Sequence, residues 1–280
     1  MMLRSNKIVT PPPMSKAVEN PNSDAKHIAY SWVLYAMREM MGMEKIRNEI
    51  VNTLFPNIKN AKKMRTFDAF QQYEEPPFDD KAVEILDYCT NILNRKKYVL
   101  FTASNIQRDE YDNETHYQCF IVDNKHKKLY IIDPAYKNDG PGIYHPEIAH
   151  DIIQPFFQLH GYHTHFVKMT NSAQTDTNDV FCQTWSLYIA IKMLNMKWAK
   201  KDDVVIKIPK SQTAKYNVLL CFYRKILRKI PGINKELNKL YRNCVEENYT
   251  EINKYTNAES VVQMDATELL FKMTADEIEM

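Results

Sequence analysis

The chain has 280 residues, of which 44% are hydrophobic and 26% are charged, proportions that exclude a wholly disordered or fibrous protein. Its 37 basic and 35 acidic side chains leave a net charge of +2, so bulk charge gives no support for a nucleic-acid or membrane partner. Only 5 glycines are present, too few for the clustered glycines of a Rossmann or P-loop nucleotide site.

The cysteines and the N-terminal sequence bear on the cellular compartment. The chain has 5 cysteines, widely spaced and never in a CxxC pair, which disfavours a zinc knuckle or redox motif and favours a reducing compartment. The N-terminal residues lack the apolar core of a signal peptide, and no apolar run is long enough to span a membrane. We therefore expect a cytoplasmic protein with no membrane partner.

Polar residues and prolines dominate positions 1–24, which predicts a disordered arm. An N-terminal helical region is expected over 25–96. Within it, apolar residues at helical spacing predict a helix over 25–55, and a second helix is expected over 81–95. The intervening residues 56–78 contain prolines near both ends and are interpreted as a loop.

Residues 97–200 are predicted to form an α+β core. Alternating or continuously apolar runs predict strands over Tyr98–Thr102, His116–Val122, Leu129–Ile132 and Tyr162–Met169. A helix that begins at Pro146 and ends near His160 is expected to be interrupted or kinked at Pro155. Another helix begins at Cys182 and is apolar nearly all round, which places it in a core.

Residues 201–280 are predicted to be a C-terminal helical extension. Helices are expected over 211–230 and 233–248, and the acidic residues 250–280 predict a weak terminal helix. The first of these helices carries basic residues opposite its apolar face, namely Lys215, Arg224, Lys225, Arg228 and Lys229. We interpret this basic face first as a solvated surface and second as a docking surface for an acidic partner or a polyanion such as nucleic acid.

Cys182 stands at the start of the predicted core helix, just after the polar segment 171–179. A thiol at that position feels the helix dipole and unpaired backbone N–H groups, both of which favour the thiolate. A buried, inert cysteine is the alternative interpretation of Cys182 taken alone.

His116 and Asp133 lie on the two strands of a predicted hairpin. A two-residue turn at Asn124-Lys125 fits the sequence, because Asn tolerates the left-handed conformation. The register set by that turn places His116 directly opposite Asp133 on one face of the sheet. A carboxylate that orients an imidazole, with a thiolate beside it, is the arrangement of an activated cysteine nucleophile.

Three other histidines, His160, His163 and His165, fall close together in the sequence. A metal site would need further ligands and supporting hydrogen bonds, which the sequence does not supply nearby. We interpret them as surface or strand residues and expect no metal.

The order of these residues resembles the cysteine proteases of the adenain and SUMO-protease group, clan CE. His116-Tyr117 stands where that family usually has His-Trp, and Ile132-Asp133 where it has a hydrophobic residue followed by Asp. The family's glutamine, which supplies an oxyanion-hole donor, corresponds best to Gln174, and its nucleophile corresponds to Cys182. The sequence around Cys182 looks like that of divergent members from large DNA viruses. The resemblance covers residues 97–200.

This resemblance implies an α+β, adenain-like fold in which a mixed β-sheet packs on a central helix headed by the cysteine. It also implies a Cys-His-Asp cysteine endopeptidase that needs no cofactor. Cys182 would attack the scissile carbonyl, His116 would be the general base, Asp133 would orient it, and Gln174 would help to hold the oxyanion. Implied substrates are viral polyproteins or the C-terminal tails of ubiquitin-like modifiers. A virus-encoded member would act in the host cytoplasm or the virion.

Two departures from the family pattern keep alternatives open. Gln183 replaces the usual glycine after the cysteine, and Gln174 lies further upstream than usual, so Asn178 or Gln183 could donate to the oxyanion instead. Two other functions are compatible with the pattern: an acetyltransferase that uses the same triad, and a non-catalytic binding or virion module on a protease fold.

Overall fold

A computed structural model describes residues 25–54, 65–71, 80–93, 98–108, 113–136, 148–174, 181–196 and 205–279. The helices are α1 (Ala25–Gly42), α2 (Glu44–Leu54), α3 (Asp80–Ile92), α4 (Gln154–Leu159), α5 (Cys182–Asn195), α6 (Gln212–Lys229), α7 (Pro231–Glu247), α8 (Tyr249–Ile252), α9 (Ala258–Val262), α10 (Ala266–Lys272) and α11 (Asp276–Glu279). The strands are β1 (Arg65–Gln71), β2 (Tyr98–Arg108), β3 (Asn113–Asp123), β4 (Lys128–Ile132), β5 (His163–Phe166), β6 (Lys168–Met169) and β7 (Val205–Ile206).

The chain folds into two compact units. One comprises Gly42–Lys210, and the other joins Met1–Met41 to Ser211–Met280. The predicted arm 1–24 lies outside the described residues.

The first unit contains a five-stranded sheet with the order β1-β2-β3-β4-β5. β2, β3 and β4 pair antiparallel, whereas β1 pairs parallel to β2 and β5 parallel to β4. The predicted α+β class with a mixed sheet is therefore confirmed. β6 and β7 form a separate parallel pair.

The interpretation of 56–78 as a loop was wrong, because β1 lies within it. The prolines that suggested a loop flank this strand and do not interrupt it. The helix predicted over 25–55 is two helices that meet at Met43. The strand predicted over Tyr162–Met169 is likewise divided at Val167 into β5 and β6. The helix expected from Pro146 begins within the described residues as a π-helical segment, Ile148–Ile153, and continues as α4.

Apolar packing fixes the helices on the sheet. One cluster joins α3 to β2, β3 and β4, and Phe120 of β3 stacks there on Phe101 of β2 with ring centroids 4.8 Å apart. α5 contacts β3 and buries apolar side chains on all sides: Trp185, Leu187, Ile189, Ala190, Ile191 and Met193. Each large apolar side chain buried in this way contributes about 1.5–3 kcal/mol. The start of α5 is therefore held firmly against the sheet.

In the second unit, the segment predicted as a weak terminal helix over 250–280 consists of short helices separated by turns. Side chains of the long helices α6 and α7 donate hydrogen bonds to the backbone of this C-terminal segment. Tyr241 of α7 donates to the carbonyl oxygen of Val261 at 2.6 Å, and Arg224 of α6 donates to those of Leu270 and Met273. Within the described parts of both units, no helix is both long and apolar enough to cross a membrane.

Candidate active site

The hairpin between β3 and β4 sets the geometry of the site. Asp123 pairs with Lys128, so the loop has four residues, 124–127, and the predicted two-residue turn was wrong. The buried Asp123 carboxylate explains the longer loop, because its Oδ1 accepts hydrogen bonds from the backbone N–H groups of Lys125 and His126 at 3.1 and 3.2 Å. Lys127 then closes the loop in the left-handed region, with φ 51°.

The register is consequently displaced by two residues from the predicted one. Cys119 pairs with Ile132, so continuation of the ladder places Gln118, not His116, opposite Asp133. A displacement of two residues keeps every side chain on the same face, and diagonal neighbours remain within reach of long side chains. His116 Nε2 accordingly lies 2.8 Å from Asp133 Oδ1.

The Asp133 carboxylate accepts hydrogen bonds from three groups. Besides His116, Gln118 Nε2 donates to Oδ2 at 3.0 Å, and the backbone N–H of Ala135 donates to Oδ1 at 2.9 Å. All three side chains, of His116, Gln118 and Asp133, are buried. Both oxygens of the carboxylate therefore accept hydrogen bonds, and it cannot rotate away from the imidazole without losing them in a buried environment.

Burial and charge shift the pKa values of Asp133 and His116 in opposite directions. Burial alone would raise the pKa of Asp133, but the charge of His116 and the hydrogen bonds from His116, Gln118 and Ala135 outweigh it and lower that pKa. Burial alone would lower the pKa of His116, but the charge and hydrogen bond of Asp133, helped by Cys182, raise it to about 10. His116 is therefore an imidazolium at neutral pH.

Cys182 is the first residue of α5 and is 4% exposed. Its interaction with His116 is one of those that raise the pKa of His116. One turn further along α5, Ser186 Oγ donates to the carbonyl oxygen of Tyr117 at 2.9 Å. Because Tyr117 follows His116 in β3, this bond fixes the start of the helix against the strand that carries the histidine.

Gln174 is anchored to the loop that follows Asp133. Its backbone N–H donates to the carbonyl oxygen of Pro134 at 2.9 Å, and Ser172 Oγ donates to the carbonyl oxygens of Gln174 and Pro134 at 2.8 and 3.2 Å. The residue is 3% exposed. The structure thus joins the segment of Gln174 to the segment of Asp133.

The alternative oxyanion donors differ in placement. The Gln183 side chain packs against Gly42, where a Cβ atom would lie 3.3 Å from Gln183 Oε1. That oxygen is buried and accepts no hydrogen bond from the described part of the chain. Asn178 lies outside the described residues.

Sequence reasoning missed Gln118, Ser172 and Ser186 as supports of the site. Gln118 follows His116 by two residues and so shares its face of β3, which was a usable signal. No local pattern marks Ser172 or Ser186, because their acceptors lie far away in the sequence.

The histidines considered above as metal ligands lie on the edge strand β5 and at the end of the neighbouring helix α4. His160 bonds through Nδ1 to the carbonyl oxygen of Phe156 at 2.8 Å, His165 stacks on Tyr130, and His163 is exposed on β5. Across the residues that the structure describes, no group of three or more His, Cys, Asp or Glu side chains is placed to hold a metal ion.

Comparisons with known proteins were made by sequence and by structure. No protein-family model matches the chain, and a search of curated proteins found no match. Among solved structures, one of the Legionella pneumophila effector protein RavZ aligns with 81% of this chain and 89% of its own, at 9% identity and a TM-score of 0.39. A structure of RavZ in complex with human LC3B aligns with 72% of this chain and 71% of its own, at 11% identity and a TM-score of 0.29. Both identities and both TM-scores are low, so these similarities carry no argument about the function of this chain.

Proposed function

We propose that this chain is a cysteine endopeptidase whose catalytic residues are Cys182, His116 and Asp133. The observation that carries the proposal is the buried hydrogen bond between Asp133 and His116, with Cys182 interacting with the same imidazole from the start of a core helix. A cysteine that only packs in the core would not require a buried imidazole beside it, oriented in turn by a buried carboxylate. That arrangement is typical of an activated nucleophile.

The raised pKa of His116 refines the expected role of this residue. An imidazolium beside a thiol favours the thiolate, so Cys182 would attack the scissile carbonyl without first losing a proton in the reaction. His116 would then donate its proton to the leaving amine as the C–N bond breaks. In the second step it would accept a proton from the water that attacks the thioester, and it would return as the imidazolium when Cys182 leaves as the thiolate.

Asp133 would hold the His116 ring in one orientation and stabilise its charge throughout this cycle. The carboxylate stays ionised, because its own pKa is lowered by the groups that bond to it. Gln118 would be a positioning residue, since its side chain bonds to Asp133 and does not touch the reacting atoms. Backbone N–H groups in the first turn of α5 are proposed to donate to the oxyanion, together with the Gln174 amide.

Replacing Gln174 by alanine should reduce kcat by about 10²–10³, the usual cost of losing one oxyanion-hole donor. The same change at Gln183, whose side chain packs against Gly42, should leave kcat within about threefold of wild type because it removes no donor from the oxyanion. Both variants are assayed on one peptide substrate, with thermal unfolding as the control for folding. Loss of activity in Gln183→Ala alone would assign the oxyanion donor to Gln183.

The finer features of the proposal come from the resemblance to the adenain and SUMO-protease group. The first is an adenain-like fold over residues 97–200. The regions 25–96 and 201–280, predicted to be helical, lie outside the resemblance, and 25–96 also contributes β1 to the sheet. The proposed substrates are a polyprotein or conjugates of a ubiquitin-like modifier, with small residues near the cleaved bond.

A covalent probe tests the proposed nucleophile. A ubiquitin-like protein with a C-terminal propargyl amide and a glycine-ended peptide vinyl ester are each expected to form an adduct on Cys182, located by mass spectrometry. His116→Ala should abolish the adduct. His126→Ala is the matched control, because His126 also bonds an aspartate, Asp123, at 2.6 Å but lies in the hairpin loop.

Two results would contradict the proposal, the first from a parallel incubation with labelled acetyl-CoA and the second from the probe experiment itself. Transfer of label from acetyl-CoA to Cys182, without cleavage of any peptide, would favour an acetyltransferase. Failure of every electrophile to label Cys182, under conditions that label the exposed Cys221, would favour a non-catalytic module.

A further inference from the structure

The second unit carries a groove that plays no part in the proposed chemistry. It lies between α7 and the start of α10 and has a volume of about 630 Å³. Its floor is held in shape by Asn238, whose side chain accepts from the backbone N–H of Ala266 at 2.8 Å and donates to Thr267 Oγ1 at 3.2 Å. Asp265, at the same end, caps α10 by accepting from the N–H of Glu268. The groove is therefore a built feature of the fold.

Three cations follow one another along the α7 wall of this groove. Lys235, Lys239 and Arg242 are spaced by four and three residues, so they lie on one face of the helix, and all three are exposed. Within the described part of the chain, none of them forms an ion pair. Beside them, Asn234 Oδ1 is buried and accepts no hydrogen bond from the described residues.

The basic residues of α6 are different. Lys215 is buried, Arg224 bonds to the backbone of α10 and the residue after it, and Arg228 lies over the Phe271 ring at 5.1 Å. Much of the basic face noted in the sequence therefore has a structural role. The cations of α7 remain available to a partner.

We propose that this groove binds an extended acidic segment of a partner protein, with acidic residues at alternate positions. Lys235 and Lys239 are separated by about 6 Å along the helix axis, and alternate side chains of an extended strand are about 6.6 Å apart, so successive carboxylates match successive cations. A peptide also carries N–H donors for Asn234 Oδ1 and for the carboxylates of Asp265 and Glu246, which line the same groove. The phosphate groups of a polyphosphate or nucleic acid backbone, in contrast, offer no N–H donors to these acceptors.

Fluorescence anisotropy at low ionic strength tests this proposal with the full chain. The probe is a labelled peptide with glutamate alternating with serine, compared with the same peptide in which glutamine replaces glutamate. We expect saturable binding of the first peptide alone. The double variant Lys235→Gln, Lys239→Gln should raise Kd by about tenfold, since each exposed ion pair contributes a few-fold and neighbouring pairs act together. The double variant Lys225→Gln, Lys229→Gln removes the same charge from exposed positions on α6 and should leave Kd within about twofold.

Several results would overturn the proposal. An equal loss of affinity in both double variants would show that net charge alone attracts the peptide. Displacement of the peptide by a single-stranded oligonucleotide at lower concentration than by unlabelled peptide would assign the groove to nucleic acid. Absence of binding at millimolar peptide would show that the groove is not a peptide site. None of these outcomes depends on the activity of Cys182, so the proposal stands or falls separately from the proposed peptidase.

Discussion

Replacing Cys182 by serine is expected to lower kcat/KM for peptide hydrolysis by at least about 10⁴, in the range known for removal of a triad nucleophile. The change substitutes oxygen for sulfur in nearly the same volume, so packing at the start of α5 should survive. A serine hydroxyl is far less acidic than a thiol, and an imidazolium beside it cannot accept its proton. The rate is measured on a peptide that the wild-type chain cleaves.

The matched control for this variant is Cys221→Ser, the same chemical change at an exposed cysteine of α6. It should leave kcat/KM unchanged, and both variants should unfold at the wild-type temperature. If Cys182→Ser kept more than about a tenth of the wild-type rate, the nucleophile would have to be another group, and the proposed triad would be wrong.

Replacing Asp133 by asparagine is expected to lower kcat by about 10⁴, as the equivalent change does in a Ser-His-Asp triad. The charge of Asp133 is the main influence that raises the pKa of His116 to about 10 against the effect of burial. Without it, burial lowers that pKa toward or below the ordinary histidine value. The variant should therefore lose its imidazolium near neutral pH, and the alkaline limb of kcat/KM should move from about pH 10 toward neutral pH.

The raised pKa of His116 also makes the free energy of unfolding depend on pH. A pKa that is higher in the folded than in the unfolded chain gives a stabilisation that is complete below the unfolded value of 6.5 and is lost as pH rises through about 10. The free energy of unfolding of wild type should therefore decline over this range more steeply than that of Asp133→Asn.

The variant Gln118→Met removes one neutral donor from Asp133. It should move the alkaline limb of kcat/KM in the same direction as Asp133→Asn, but by less. Identical alkaline limbs in wild type and Asp133→Asn would contradict the assigned pair.

The hairpin illustrates how far sequence reasoning reached in the candidate site. The predicted turn was too short by two residues, because the Asp123 side chain bonds to the loop N–H groups and stabilises a longer loop. The alternation of side chains was nevertheless predicted correctly, and a two-residue displacement leaves the faces of the sheet unchanged. His116 and Asp133 therefore still meet, now as diagonal neighbours.

Contacts between distant segments were beyond sequence reasoning. The bond from Ser186 to Tyr117, which joins α5 to β3, depends on how the helix crosses the sheet. The bond from Gln174 to Pro134 depends equally on the folded path of two loops. β1 was missed for a related reason, since its parallel pairing with β2 is a long-range interaction and the prolines that flank it resemble those of a loop.

The proposed peptidase activity depends most directly on whether His116 activates the Cys182 thiol. The rates of alkylation of Cys182 and Cys221 by a brief pulse of iodoacetamide at neutral pH, read by mass spectrometry, measure this. Exposure alone predicts that Cys221 reacts first, because it is exposed whereas Cys182 is 4% exposed. Activation predicts the opposite order, with Cys182 faster by about tenfold or more and this advantage lost in His116→Ala. If Cys221 reacts faster in the wild-type chain, or if His116→Ala leaves the rate at Cys182 unchanged, Cys182 is not an activated nucleophile.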